Sequence, residues 1–417
     1  MIKILIIQWD DELQKLDFIT KEEKIFDKSY FITGFENLSK FIENEVIFCD
    51  KIPSDKYIVI INHENEYQIL DFLKKQDQIE SLVKNEKIID DLKKDKCKLI
   101  VTRIEGAVND AGHTDASVPG HLRDFLDLHN IPWSNFIWMT PELLLNNYEE
   151  NFPFKVKFFN RWALQIESHR LSGHKYLNLI SLNMFKNSRH FSRLKYFYSV
   201  GTSSRPHRID LLKFLHENDF LGKGHITFFN QVFDGDPWFE ENNIPEEISK
   251  LLPLGRDLKL ARENFRGISP TLAINSVRVM NCYYQIVTTS IWNQNELSDK
   301  FHVFFNEKIW KPILTFHPFI VLGQYKTLEC LRNMGFKTFE PFIDESYDDI
   351  KNWESKKNKV YKEIKRLNSM SKKEIHDWYW GMEDILVYNF HRLQEYTVEE
   401  NNKLINIIKK EWKELHG

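Results

Sequence analysis

The chain has 417 residues, enough for two domains, and its 42% hydrophobic and 28% charged residues exclude an intrinsically disordered protein. Four widely spaced cysteines without CxxC spacing argue against a disulfide framework or a cysteine zinc site, and they favour a reducing compartment. The net charge is −4, but it is unevenly distributed. Residues 1–150 contain 18 Lys and Arg against 29 Asp and Glu, whereas the remainder contains 39 Lys and Arg against 32 Asp and Glu. The second half is therefore the better suited to hold an anion.

The N-terminal half predicts a parallel sheet. Its first apolar run, residues 2–8, is far too short for a signal peptide or a membrane span, and no other window approaches the roughly 20 apolar residues that a spanning helix needs. Further β-branched runs follow at 57–63 and 98–103, and the stretch between them has apolar residues at helical spacing. Continuous apolar strands separated by helices indicate a sheet covered on both faces. We expect a soluble, cytoplasmic protein.

A second alternating set follows a Pro- and Trp-punctuated stretch at 129–162, which we interpret as the crossing between domains. Gly335 is predicted to end the helix at 326–335. The predicted strands are 194–202, 224–230, 283–290, 318–323 and 336–342, and the predicted helices are 208–218, 307–316 and 326–335.

Two helices are predicted to close the chain. Capping boxes at Ser371 with Glu374 and at Thr397 with Glu400 indicate their starts. The predicted fold class is α/β, with two Rossmann-like doubly wound domains facing across a cleft at the carboxyl ends of their strands, where open α/β sheets bind ligands. The predicted boundaries are 1–160 for the first domain, 161–395 for the second and 396–417 for a C-terminal helix that could pack back on the first domain.

The stretch "FFNEKIWKPILTF" suggests an anion site at a helix start. Asn306 stands at the expected N-cap, with Glu307 and Lys308 in the first turn. Backbone N–H groups there favour a diphosphate, Lys308 adds a full positive charge, and a carboxylate can accept ribose hydroxyls. Helix propensity alone also explains this pattern, so both interpretations stay open at this point.

A second candidate is "SVGTSSRPHRIDLLKFL", in which a strand, a small-residue turn and a helix follow one another. Arg205 and Arg208 stand at the helix start, where the helix dipole disfavours cations. An anionic partner such as a phosphate would explain that placement, and so would surface pairing with acidic residues.

The long polar loop after the strand at 98–103 offers general-base candidates for an acceptor site, which are Glu105, Asp110, His113 and Asp115. No HExxH or DxDxDG pattern is present, so we expect no metal. The absence of GxxxxGK[ST], GxGxxG and GxSxG motifs argues against P-loop NTPases, dinucleotide-dependent dehydrogenases and α/β-hydrolases.

Taken together, "SSRPHRIDLLKFL" and the later "NEKIWKPILTFHPFIVLG…GFKTF…DESYD" resemble the donor half of fucosyltransferase-like and exostosin-like glycosyltransferases. The "GFKTF…DESYD" ending resembles a variant found in phages and giant viruses, which would place the protein in a host cytoplasm. The resemblance covers about a third of the chain, residues 199–349.

The resemblance implies a GT-B fold with a nucleotide-sugar bound in the C-terminal domain and no metal or other cofactor. By matching positions, Glu307 would hold the donor ribose, Lys308 the diphosphate, and Arg208 with Arg205 the leaving group. The family commonly has Thr where this chain has Asn306, a departure that still caps the helix and leaves donor identity open. A GDP-sugar is favoured over a UDP-sugar.

The acceptor half matches no motif. If the reaction inverts, one side chain must take the acceptor's proton, and Glu105 is the first choice because it lies closest to the end of its strand. A glycan acceptor is favoured over DNA, because the acidic first 150 residues are unsuited to phosphate contacts. The alternatives are a viral glycosyltransferase that modifies hydroxymethylated DNA bases, and a nucleotide-sugar-binding module that has lost catalysis.

Overall fold

The fold belongs to the α/β class, and the described residues form two separate sheets. The computed structural model describes residues 1–10, 15–18, 46–49, 52–63, 86–103, 123, 125–141, 143, 154–160, 162–164, 166, 180–203, 205–231, 246, 250, 274, 276–289 and 303–417. The chain divides into two compact units. The first unit comprises Met1–Ser168, Phe301–Phe305 and Tyr396–Gly417, and the second comprises His169–Lys300 and Asn306–Glu395.

The sheet of the first unit is parallel apart from one short antiparallel strand. Its strands are β1 (Ile2–Asp10), β2 (Lys15–Phe18), β3 (Val46–Phe48), β4 (Tyr57–His63), β5 (Cys97–Arg103), β6 (Phe136–Thr140) and β7 (Lys155–Phe158), with helix α1 (Glu86–Lys93) preceding β5. The chain places β3 on one side of β1 and then β4 to β7 in sequence on the other. The order in which strands are added to the sheet thus reverses direction at β1, which is the doubly wound arrangement.

Both faces of the central part of this sheet are buried, because residues of β1, β4, β5 and β6 enter two different apolar clusters. On β4, Tyr57 and Val59 pack with α1, whereas Ile58 and Ile60 pack on the opposite face with Leu404 of the C-terminal helix. This two-sided burial explains why the strand appears in the sequence as a continuous apolar run.

The sheet of the second unit has four parallel strands in the order β9–β8–β10–β11. Its elements are α2 (Leu182–Asn187), β8 (Lys195–Ser203), α3 (Pro206–Glu217), β9 (Gly224–Gln231), α4 (Ser276–Met280), β10 (Cys282–Thr288), α5 (Glu307–Leu314), β11 (Phe319–Leu322), α6 (Thr327–Asn333), α7 (Trp353–Ser369) and α8 (Lys372–Trp380). Since β8 is followed by β9 on one side and β10 on the other, the topological switch point lies between β8 and β10. Ligands of such sheets bind outside the carboxyl ends of the strands at that point.

The predicted α/β class with two doubly wound parallel sheets is confirmed. The strand predicted at 57–63 matches β4 residue for residue, and Gly335 ends α6 with φ of 85° as predicted. The capping box of Ser371 with Glu374 is present at the start of α8.

The strand predicted at 336–342 is wrong, because side chains satisfy the backbone groups that a neighbouring strand would use. The Lys337 N–H donates to Asn389 Oδ1 and its carbonyl accepts from Asn389 Nδ2, both at 2.8 Å. The Phe339 N–H donates to Glu345 Oε1 at 2.6 Å. The segment is therefore a loop fixed by two side chains.

The helix start predicted at Thr397 is also wrong, since one helix, α9, runs from Glu383 to His416. Glu400 accepts a hydrogen bond from the Asn160 N–H at 3.0 Å instead of closing a capping box. No Gly or Pro lies within α9, so nothing in the sequence ends a helix before Thr397, and the pattern of Thr397 with Glu400 does not indicate a new helix start.

Candidate functional site

The candidate site lies at the carboxyl ends of β8 and β10, the switch point of the second sheet. Arg208 packs beside Gly201 near the end of β8, since a Cβ at Gly201 would lie in ordinary van der Waals contact with Arg208 Cδ, at 3.4 Å. Arg208 is buried, and its Nη2 lies 3.5 Å from the carbonyl oxygen of Thr289, just after β10. The guanidinium therefore spans the two central strands at the edge where ligands bind.

Helix α3 begins with cations. Arg205 is its N-cap residue, with extended backbone and no capping bond from its side chain, and Pro206 follows. No acidic residue occupies the first turn, where the positive end of the helix dipole would favour one. The start of α3 thus combines the positive end of the helix with two arginines.

His207 is buried between these arginines and connects α3 to β10. Its Nε2 lies 3.0 Å from the carbonyl oxygen of Thr289, which can only accept, so Nε2 carries the proton. Burial lowers the pKa of His207 well below its ordinary value, and the charges of Arg208, Arg205 and Lys308 lower it further. The imidazole is therefore neutral, and cations from both α3 and α5 lie near it.

Helix α5 contributes an ionised carboxylate and its partner. Asn306 caps the helix by accepting from the Lys308 N–H at 3.1 Å, as predicted. Glu307 is buried, and its Oε1 accepts from Lys308 Nζ at 2.8 Å. Burial opposes ionisation, but Lys308 and Lys311 outweigh it and lower the pKa of Glu307. Within the described part of the chain, its second oxygen, Oε2, has no hydrogen-bond partner.

Lys311 belongs to the same group, and the sequence analysis did not assign it a role. Burial lowers its pKa to about 8, Glu307 opposes that shift, and Lys308 adds to it. Lys311 stands four residues after Glu307 on α5, so helical spacing could have identified it. His207 gave no such signal, because its importance depends on contact with β10.

The ends of β10 and β11 pack tightly beside these helices. The Thr289 N–H donates to the Leu322 carbonyl at 3.4 Å. A Cβ at Gly323 would lie only 1.9 Å from Thr289 Oγ1, so no larger residue fits there. Thr289 is thereby held by β11 on one side and by His207 on the other.

This arrangement can bind an anion. Four cations from α3 and α5, which are Arg205, Arg208, Lys308 and Lys311, lie at the edge toward which the positive end of the α3 dipole also points. Guanidinium and ammonium groups in a low dielectric bind phosphate oxygens more strongly than neutral donors do.

The structure brings together five of the predicted site residues, namely Arg205, Arg208, Asn306, Glu307 and Lys308. The predicted acceptor-side residues, Glu105, Asp110, His113 and Asp115, lie outside the described residues. The described ranges contain no group of three His, Cys, Asp or Glu side chains that could hold a metal ion. They also contain no helix both long and apolar enough to cross a bilayer.

Comparisons with known proteins add only distant structural similarity. No protein-family model matches the chain, and no curated protein matches its sequence. The N-terminal domain of trehalose-6-phosphate phosphatase from Candida albicans gives a TM-score of 0.40 at 8% identity, covering 86% of this chain and 71% of that one. UDP-GlcNAc 2-epimerase from Neisseria meningitidis, bound to UDP-GlcNAc, gives 0.37 at 10% identity, covering 94% and 100%.

A third structure, from E. coli and described as trehalose-6-phosphate bound with UDP-2-fluoro glucose, gives a TM-score of 0.37 at 11% identity, covering 84% of this chain and 74% of that one. Similarity at this level carries no argument about activity. The assignment of the site therefore depends on the geometry of the second sheet.

Proposed function

We propose that this chain is a GT-B glycosyltransferase that moves a sugar from a nucleoside diphosphate to a glycan hydroxyl, without a metal and with inversion. The supporting observation is the group of cations from α3 and α5 that converges on buried His207 at the switch point. A GDP-sugar is the favoured donor and a UDP-sugar the second choice, as the resemblance of the donor half implies.

The cations would act on the leaving group. As the bond between the sugar C1 and the phosphate oxygen breaks, negative charge develops on the diphosphate. Arg208 and Lys308 are fixed in position before the reaction, so they stabilise that charge without reorganisation, and the positive end of the α3 dipole adds to their effect. In this proposal they supply the charge that a divalent cation supplies in metal-dependent enzymes.

Glu307 would bind the donor ribose. The carboxylate is ionised and buried, Lys308 occupies one of its oxygens, and the other has no partner among the described residues. A buried carboxylate oxygen without a donor is costly, and a ribose hydroxyl is a donor of suitable chemistry.

The acceptor hydroxyl would attack C1 from the face opposite the diphosphate. A bond forms between the acceptor oxygen and C1, the C1–phosphate bond breaks, and the hydroxyl proton passes to a base. Glu105 remains the first candidate for that base, followed by Asp110, His113 and Asp115.

Thermal-shift measurements with GDP- and UDP-sugars test the proposal. We expect one nucleotide to raise the melting temperature of the wild-type protein, because it binds only the folded state. The Lys308→Ala variant should lose that response. Lys372→Ala is the control, since Lys372 contacts the Leu194 carbonyl at 2.9 Å, just before the amino end of β8. No response to any nucleotide would contradict the proposal.

Donor hydrolysis distinguishes an enzyme from a binding module. A glycosyltransferase should slowly transfer the sugar to water when no acceptor is present, and release of the free nucleoside diphosphate measures that reaction. Stabilisation by a nucleotide-sugar without any hydrolysis would favour the binding module. Salt-sensitive binding to duplex DNA would favour the DNA-modifying alternative.

A further inference from the structure

Gln324 is fully buried, yet its side chain is unused. Its exposed fraction is 0%, and neither Nε2 nor Oε1 has a hydrogen-bond partner among the residues that the structure describes. A buried carboxamide without partners pays the cost of losing water at both atoms. In native proteins such a group calls for a specific explanation, and a ligand is one.

The backbone of Gln324 is held firmly in place. Its carbonyl accepts from Lys356 Nζ at 2.6 Å and from Thr327 Oγ1 at 2.8 Å, and Lys356 itself is buried. The side chain, by contrast, has several rotatable bonds and makes no hydrogen bond within the described residues. It can therefore turn toward a ligand without breaking an existing hydrogen bond.

The position of Gln324 places it beside the candidate site. It lies two residues after β11, and the preceding Gly323 packs against Thr289, whose carbonyl contacts His207. Neighbouring strands lie about 4.8 Å apart, so β11 is roughly 10 Å from β8. A nucleoside diphosphate is long enough to span that distance.

The order of elements along this edge matches the order of groups in such a ligand. Arg208 on α3 contacts the end of β10 from the β8 side, and it would hold the diphosphate. Glu307 starts α5, the crossover between β10 and β11, and would hold the ribose. The base then falls at β11, whereas the transferred sugar extends from the other end of the diphosphate.

We propose that Gln324 recognises the nucleobase of the donor, pairing its amide donor and acceptor with the adjacent carbonyl and N–H groups that guanine and uracil share. This inference rests on the proposed function and adds to it a residue for base recognition. A carboxamide offers both hydrogen-bonding roles side by side, which is the complement of that base edge.

The test is the Gln324→Met variant, which keeps the size of the side chain and removes both polar atoms. Binding of GDP, UDP and inorganic pyrophosphate would be measured by calorimetry, together with the melting temperature of the unliganded protein. We expect affinity for the preferred nucleotide to fall about tenfold, through loss of hydrogen bonds to the base. Pyrophosphate, which has no base, should bind unchanged, and the melting temperature should stay level or rise.

Gln285→Met is the matched control. Gln285 is also buried, on neighbouring β10, but its Nε2 donates to Thr315 Oγ1 at 3.0 Å. Its substitution should therefore lower the melting temperature and leave nucleotide affinity unchanged. Each variant removes one buried carboxamide at the second sheet. The carboxamide of Gln285 has a hydrogen-bond partner, and that of Gln324 has none among the described residues.

The possible results separate cleanly. A lower melting temperature with unchanged nucleotide affinity in Gln324→Met would show that the amide is structural and would overturn the inference. Equal weakening of pyrophosphate and nucleotide would overturn it too, because the base would not be the group recognised. If the wild-type protein binds neither nucleotide, the proposed function itself fails. If the wild type binds and Gln324→Met binds equally well, only the inference fails.

Discussion

Two buried charges of the first unit, Lys98 and Glu411, belong to a group of four charges that are paired with each other. Lys98 donates to Glu411 at 2.6 Å and to Glu414 at 2.8 Å, and Lys155 contacts the same two carboxylates at 2.7 to 2.8 Å. The hydrogen bonds from Lys155 and Lys98 lower the pKa of Glu414 to about 2. These contacts join α9 to the ends of β5 and β7, so each charge is neutralised by another within the fold.

The cations around His207 in the second unit are arranged differently. Arg208 and His207 both lie against the Thr289 carbonyl, and the charges of Arg205 and Lys308 act on the neutral imidazole of His207. Lys308 is also paired with the buried Glu307 at 2.8 Å. The first group of charges holds a helix on a sheet, whereas we propose that the second binds the diphosphate of the donor.

Among substitutions that distinguish the paired charges of the first unit from the cations around His207, Glu411→Gln should have the largest effect. Removing one charge of a buried pair leaves Lys98 poorly compensated, so we expect the free energy of unfolding to fall by about 3 kcal/mol, measured by urea denaturation. Nucleotide affinity should not change at temperatures where the variant is folded. Unchanged stability would mean that this group of charges does not hold α9.

Arg208→Gln should have the opposite profile. Loss of a preorganised donor to the leaving group should lower turnover about 100-fold, measured as release of the nucleoside diphosphate, with a small change in melting temperature. The control is Arg193→Gln, because Arg193 is a buried arginine that donates to the Cys282 carbonyl and the Tyr379 hydroxyl, both at 2.7 Å. That control should lose stability and keep turnover, and a reversed outcome would contradict the comparison.

The smallest effect is a pH dependence at Lys311. Its pKa of about 8 means that it loses its charge as pH rises through that value, so nucleotide affinity should fall a few-fold between pH 7 and 9. Unliganded stability should rise between about pH 8 and 10.5, because the folded state holds its proton less tightly than the unfolded state. Lys311→Arg should remove the decline in affinity, and an identical decline in that variant would exclude Lys311 as its cause.

Strands were predictable where both faces are buried, because a continuous apolar run such as residues 57–63 has few alternative structures. The errors arose where distant side chains decide the local structure. Hydrogen bonds with Asn389 and Glu345 fix the loop at 336–342. Glu400 accepts a hydrogen bond from the Asn160 N–H instead of capping a new helix. No local pattern in the sequence shows those partners.

The site residues were predictable for a different reason than the strands. Arg205 and Arg208 were conspicuous because cations at a helix start oppose the dipole, and Glu307 and Lys308 followed a capping residue. Gln324 and His207 were missed, since a buried amide without partners and an imidazole bonded to the next strand are properties of tertiary packing. The sequence therefore indicated four of the charged residues of the site, but not Lys311 or the neutral groups Gln324 and His207.

A crystal structure of the chain with GDP or UDP at saturating concentration tests the proposed site most directly. We expect diphosphate oxygens within about 3 Å of the Arg208 guanidinium and Lys308 Nζ, with a ribose hydroxyl on Glu307 Oε2. A nucleotide bound at any other place, or a diphosphate that touches neither cation, would contradict the proposed site.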